Sequence, residues 1–187
     1  MLIHKYKESW VKDFNQIRNV LHEALLDLRV SIEHIGSTAI PKLAAKQIID
    51  IDVIHDRNTE FGEIKRRLEK IGYYHNGNQG IADREVFKRD KMIEKHEVLD
   101  FISHHLYVCP IDSKELERHI LFRDYLIANE GARVQYQHLK FEMAEEVNQD
   151  RKKYTQLKEV KAKDFINNII EKAKEDRTKD AAMPGSK

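Results

Sequence analysis

The chain has 187 residues, enough for one domain or one domain with a closely packed extension. Its 41% hydrophobic content supports a core, and its 35% charged residues cancel to a formal +1, which gives no support for generic binding of nucleic acid or another polyanion. A single cysteine, Cys109, excludes an internal disulfide and a multi-cysteine metal site.

No apolar run approaches the roughly 18–20 residues that a membrane span needs, and the start, MLIHKYKESW, is too polar for a secretory signal. A cytoplasmic protein with no membrane partner is the expectation. Ile17, Val20, Leu21, Ala24, Leu25 and Leu28 recur at three- and four-residue steps, which predicts a helix over about Ser9 to Leu28. VSIEHI then alternates, with Val30, Ile32 and His34 on one side and Ser31, Glu33 and Ile35 on the other, a strand ending at Gly36. After a connector with Pro41, QIIDIDVI reads as a second strand. Phe61, Ile64, Leu68 and Ile71 line a further helix stopped by Gly72. Turn signals at Asn76-Gly77 and Gly80 separate a short strand from another near Ile81 to Arg89. Met92 to Asp100 is charged and reads as a loop, and FISHHLYVC as a strand ended by Pro110.

Beyond Asp112 only helical patterns follow. Ser113 caps a helix carrying Leu116, Ile120 and Ile127 that Gly131 breaks, and further helices are expected over about Ala132–Asn148 and Thr155–Ala173. The last residues lack an apolar face. The expected fold class is α+β: a mixed sheet with flanking helices over about residues 1–110 and a helical layer over about 111–175, in one domain, with 176–187 as a flexible tail.

The chemistry concentrates in HIGSTAIPKLAAKQIIDIDVI, residues 34–54. A strand repeats its side chains every two residues, so Asp50 and Asp52 share a face roughly 6.5–7 Å apart, while Ile49, Ile51 and Val53 take the other. Two carboxylates at that range repel unless a cation sits between them, and magnesium takes oxygen ligands while bridging to phosphates. Aspartates at strand ends also cap turns or pair with Lys or Arg, so DID alone leaves both readings open. Upstream, Gly36 lets a backbone N–H approach an anion, Ser37 and Thr38 add hydroxyls, and Lys46 is placed to neutralise phosphate.

This stretch resembles the signature of the GrpB-like family, placed in the nucleotidyltransferase superfamily. Further family-like pieces follow in order: Trp10 in YKESWVKDF, GIADREVF around Arg84, SHHLYV, ERHILFRDYL around Arg123, YQHLK ending at Lys140, and YTQLKEVKAKDFINNII. The resemblance implies a nucleotidyltransferase-like sheet, with Asp50 and Asp52 as ligands of Mg2+ and Gly36, Ser37 and Thr38 against the triphosphate of a nucleoside triphosphate. An unidentified small acceptor would take the nucleoside monophosphate. The superfamily pattern also implies a third carboxylate on a later strand, and SHHLYVC has none. Asp100 lies just before it, and His105 is the candidate general base or metal ligand in its place. Arg84, Arg123, Lys140, Lys88 and Lys158 are the remaining candidate cations, with solvated helix faces or salt bridges as the alternative. A nucleotide- or anion-binding module without turnover, accessory to coenzyme A metabolism, is the second functional expectation. A purely structural interaction domain is the third.

Overall fold

The computed structural model describes residues 1–90, 92 and 94–182. Helix α1 (Ser9–Ala24) leads into strand β1 (Val30–Ile35), a 3-10 turn (Ser37–Ala39) and β2 (Ile49–His55). Helix α2 (Phe61–Lys70), β3 (Tyr73–His75), β4 (Glu85–Arg89), α3 (Glu97–Phe101) and β5 (His104–Pro110) complete the sheet part. The helical part is α4 (Lys114–Ala128), α5 (Glu130–Glu146), α6 (Arg151–Lys161) and α7 (Lys163–Ala182). The five strands lie in the order β1-β2-β5-β4-β3, with β2 and β5 parallel and every other pair antiparallel. The expected mixed sheet with a helical layer is what forms. Among the described residues no helix is long and apolar enough to cross a membrane.

The two-residue period of β2 and β5 divides the molecule. Ile49, Ile51 and Val53 join Leu106 and Val108 on one face, where Trp10, Phe14, Ile17 and Leu21 of α1 and Ile64 and Leu68 of α2 close the main core. Burying each such side chain contributes roughly 1.5–3 kcal/mol. The opposite face carries Ile54 and Cys109, packed with Leu116 of α4. A second core joins Ile3 and the connector residues Ile40, Leu43 and Ala44 to Leu126, Tyr136, Met143 and Tyr154. His4 and Ala45 bridge as an antiparallel pair, so the first residues clamp that connector against the helical part.

Several sequence expectations shift. Residues 97–101 are a short helix rather than loop, because His96 caps it and Leu99 is buried. The strand predicted from Phe101 therefore starts at His104, and it keeps Pro110 as its last residue opposite His55. The strand predicted from Ile81 starts at Glu85, after turns at which Gln79, Gly80 and Asp83 take positive φ. The break between α4 and α5 falls at Asn129, whose amide nitrogen donates to the Tyr125 carbonyl at 3.0 Å, and Gly131 lies inside α5. The single helix expected over Thr155–Ala173 is two, divided at fully buried Ala162, and Asp150 starts the first by accepting from the Lys153 N–H at 2.8 Å. Helix α7 runs on to Ala182, through part of the stretch expected as a tail. The i,i+3 pair Lys179–Asp176 there, and Lys174–Glu171 just before it, support a solvated helix. Residues 183–187 of that expected tail lie outside the described residues.

On the core face His104 accepts the Tyr73 hydroxyl at Nε2, 2.6 Å away, because its Nδ1–H is given to the Ile102 carbonyl at 2.7 Å. Arg89 lies over the Tyr73 ring and donates to Asp100 at 2.7 and 3.0 Å and to the carbonyls of Glu94 and Ile71. The Arg89 side chain is 9% exposed and that of Asp100 19%. Replacing Asp100 by Ala strands this charge, so unfolding in urea should show a loss of about 3 kcal/mol, against a smaller loss for Asp100→Asn.

His34 stacks on Phe14 with ring centroids 4.6 Å apart. Its Nε2–H donates to Thr38 Oγ1 at 3.0 Å, since the Thr38 hydroxyl proton is spent on the Ile48 carbonyl at 3.3 Å. Burial pushes this imidazole down to about 4, with the Arg123 charge adding to the shift and Asp50 opposing it. An unfolded histidine titrates near 6.5, so between those values the unfolded chain takes up a proton that the folded one refuses. His34 thus costs no stability above pH ~6.5, and as pH falls through this window about 3 kcal/mol is lost, levelling off below about 4. Urea unfolding at pH 7 and pH 4.5 should show that His34→Gln loses less stability on acidification than the wild type.

Candidate active site

The parallel register of β2 and β5 sets Asp50 beside His105 and Asp52 beside Tyr107 on the face away from the main core. A cavity of about 500 Å³ opens on that face, between the sheet and the helical part. Its lining includes Gly36, Ser37 and Asp50 from the sheet side and Tyr136, Lys140, Tyr154 and Lys158 from the helices.

Gly36 holds φ +71°, and a Cβ there would stand 2.4 Å from Asp50 Oδ2. The position is glycine because the carboxylate fills the space a side chain would need. Ser37 lines the cavity. Thr38, also expected to meet the triphosphate, lines the cavity too, but it is 1% exposed and its hydroxyl bonds to the Ile48 carbonyl and His34.

Asp50 Oδ1 accepts from His105 Nδ1 at 2.8 Å, and the His105 side chain is 47% exposed. With Nδ1–H given to the carboxylate, Nε2 of the neutral ring keeps its lone pair, the arrangement of a carboxylate-oriented general base. Asp52 differs sharply. It is 0% exposed, its Oδ2 accepts from His119 Nδ1 at 2.8 Å, and its Oδ1 is buried without a partner among the described residues. Burial raises its pKa, and the His119 hydrogen bond and charge work against that rise. His119 Nε2 lies 3.4 Å from Glu115 Oε1 on the same helix face. Burial disfavours a charged His119, but the bonds and charges of Asp52 and Glu115 prevail and push it up to about 9.

Among the described residues no three His, Cys, Asp or Glu side chains form a ready-made metal cage. The Asp pair nevertheless fits a hard cation that keeps waters and takes substrate oxygens. Each carboxylate spends one oxygen on an imidazole, and the bare, buried Oδ1 of Asp52 calls for a positive or donor partner.

Lys140 is 2% exposed, donates to the Ala44 carbonyl and lies 5.3 Å from the centre of the Tyr136 ring. Burial, then Lys158, then Lys46 hold this amine well below its ordinary range, with Asp50 relieving part of the effect. Lys46 donates to Thr155 Oγ1 at 3.4 Å and sits over the Tyr154 ring, and burial followed by the charges of Lys158 and Arg151 lowers its pKa. Among the described residues neither Lys46, Lys140 nor Lys158 forms an ion pair with a carboxylate. Arg84 reaches the cavity with its guanidinium 4.8 Å over the Tyr107 ring and its Nε buried without a hydrogen-bond partner among the described residues.

Arg123 does not join them. It donates to Glu33 at 2.7 Å, the His34 carbonyl at 2.9 Å and Asp124 at 2.8 Å, and so braces α4 against β1 away from the cavity. Lys88 is exposed on β4, outside the lining. Asp100 serves Arg89, and the place beside Asp50 on β5 is taken by His105. The sequence reading passed over His119 and Glu115, although their i,i+4 spacing in KELERHIL places both on one helix face.

Residues 1–172 match the protein family described as GrpB protein. The chain is 31% identical over 170 residues to UPF0157 protein YqkA of Bacillus subtilis (strain 168), covering 90% of itself and 46% of that longer protein. It is 30% identical over 171 residues to the glutamate-rich protein GrpB of Alkalihalophilus pseudofirmus, covering 91% and 94%. Among solved structures, conserved protein GrpB from Enterococcus faecalis superposes with TM-score 0.73 at 29% identity, over 91% of this chain and 96% of that one. Cid1 in complex with its short product ApU superposes with TM-score 0.53 at 14% identity, over 76% and 43%, a likeness of fold alone. The architecture is thus nucleotidyltransferase-like, and the chain belongs to the GrpB family.

Proposed function

We propose that this protein is a cytoplasmic, metal-dependent nucleotidyltransferase that moves a nucleoside monophosphate from a nucleoside triphosphate to a small acceptor. One observation carries the reading: the same cavity brings Asp50 and His105 together with three amines, Lys46, Lys140 and Lys158, that no carboxylate among the described residues pairs. Like charges held together and partly desolvated favour an anion that can neutralise them, and a polyphosphate has the required charge and length. A magnesium ion held by Asp50 and Asp52 would neutralise phosphate charge and polarise the α-phosphate.

The chain's own groups divide the remaining work. Lys46, Lys140 and Lys158 bind the β- and γ-phosphates, and the Ser37 turn orients the triphosphate. Nε2 of His105 takes the proton of the acceptor hydroxyl as its oxygen attacks the α-phosphorus, the bond to the leaving oxygen breaks, and pyrophosphate departs. Asp50 keeps the imidazole aimed and stabilises its charged form. A nucleotide-binding module without turnover is the second reading, favoured by the imidazole that stands on β5 where a carboxylate would complete the superfamily site.

Pyrophosphate release from nucleoside triphosphates with magnesium and candidate acceptors separates the two. Turnover should fall by roughly 10²-fold or more in Asp50→Asn and by roughly 10²–10⁴-fold in His105→Ala. Binding without release in the wild type selects the module, and release unchanged in Asp50→Asn sinks both the metal and its ligand.

Gly36→Ala offers a sharper geometric check, since its Cβ and Asp50 Oδ2 cannot share the same space. It should lose roughly 1–3 kcal/mol of stability from the backbone conformation alone, and magnesium-dependent nucleotide binding, read by calorimetry, should weaken with it.

A further inference from the structure

Asp52 cannot hold itself in place. Its carboxylate is fully enclosed, and the described residues offer it one hydrogen-bond donor, Nδ1 of His119. That imidazole is fixed in turn from its other nitrogen, Nε2, 3.4 Å from Glu115 Oε1. Glu115 is itself approached by Arg118 at 3.6 Å, and Arg118 donates to Asn167 Oδ1 on α7 at 3.0 Å. A line of polar contacts therefore runs from the second strand through one face of α4 to α7. Ser113, itself 1% exposed, anchors its start by capping α4 at the Leu116 N–H.

We infer that His119 is the positioning residue of this site: by binding Oδ2 of Asp52 it leaves Oδ1 bare and fixed as the oxygen that meets the cation. The inference rests on the reading of Asp52 as a cation ligand. Without the imidazole, neither Asp52 oxygen has a partner among the described residues, and the carboxylate is free to rotate or to take up a proton. Glu115 matters through His119, because it prevents the ring from flipping or swinging away. Residues that aim metal-binding groups in this way typically change metal affinity 10–100-fold when removed.

The test uses Mn2+ alone as the probe, with binding followed by calorimetry on the full chain. His119→Ala should weaken Mn2+ binding 10–100-fold. His119→Asn, whose amide nitrogen can take the place of Nδ1, should recover most of the loss, and Glu115→Gln should weaken binding only a few-fold. A residue needed merely for packing would not be rescued by the shorter Asn. Thermal unfolding supplies an arm independent of metal: His119→Ala should lower Tm by several degrees in the wild type and by clearly less in an Asp52→Asn background. Mn2+ binding that is unchanged in His119→Ala overturns the positioning role while leaving the metal site standing. A wild type that binds no Mn2+ removes the metal reading and, with it, the role toward the cation. Equal Tm losses in both backgrounds overturn the coupling of His119 to Asp52. Should His119→Ala fail to fold, Glu115→Gln decides the matter: a few-fold loss of Mn2+ affinity supports the inference, and affinity equal to that of the wild type contradicts it.

Discussion

A carboxylate with no exposed surface, Asp52, constrains everything assembled around it. Enclosing a charge of this kind costs several kcal/mol unless donors or an opposite charge replace the lost water. The sheet does not supply them: in register, Asp52 faces Glu33 on one side and Tyr107 on the other. Compensation has to come from the helical part, and it comes from His119. Helix α4 must therefore lie against the open face of β2 and β5, where Leu116 packs with Ile54 and Cys109. Arg123, one turn beyond His119, fixes the same helix to β1 through Glu33. The cavity is what remains between this docked helix and the strands.

The electrostatics of the cavity follow from where each charge originates. Asp50 sits on a central strand, whereas Lys46 comes from the connector and Lys140 and Lys158 from α5 and α6. Lys140 is nearly fully buried yet has a backbone carbonyl, an aromatic face and two neighbouring amines for company. A folded chain tolerates this by leaving the amine easy to deprotonate, which is the direction in which its pKa is displaced. An entering anion reverses that balance, so binding charge and taking up protons are linked in this half of the cavity.

Much of this arrangement is visible in the sequence, for identifiable reasons. The period of two in QIIDIDVI fixes Asp50 and Asp52 to one face whatever the strand pairs with, and the same period separates His104 from His105. The glycine before Ser37 announces the turn, and φ +71° is the conformation it permits. Other features depend on contacts between distant segments. Nothing local says that Thr38 will spend its hydroxyl on Ile48 and His34, or that Arg123 will meet Glu33 instead of the cavity. His119 was hidden for the same reason, since its importance lies in Asp52, 67 residues earlier. The short helix at 97–101 and the break at Ala162 are likewise set by what they bury, Leu99 and Ala162, in segments whose composition reads as polar.

The replacement of a carboxylate by His105 alters the charge balance of the site as well as its candidate base. Three carboxylates close together demand two divalent cations to offset their repulsion. Here two carboxylates each already engage an imidazole, so on the proposed reading one cation would suffice to balance them. Fewer fixed negative charges also leave the lysines less opposed, which would favour the polyphosphate of the proposed reading. An imidazole whose Nδ1–H is held by Asp50 presents Nε2 as its remaining acceptor. On the proposed reading the absence of the third acid on β5 would not disable the site: the proton-accepting role would fall to His105, and His119 holds Asp52.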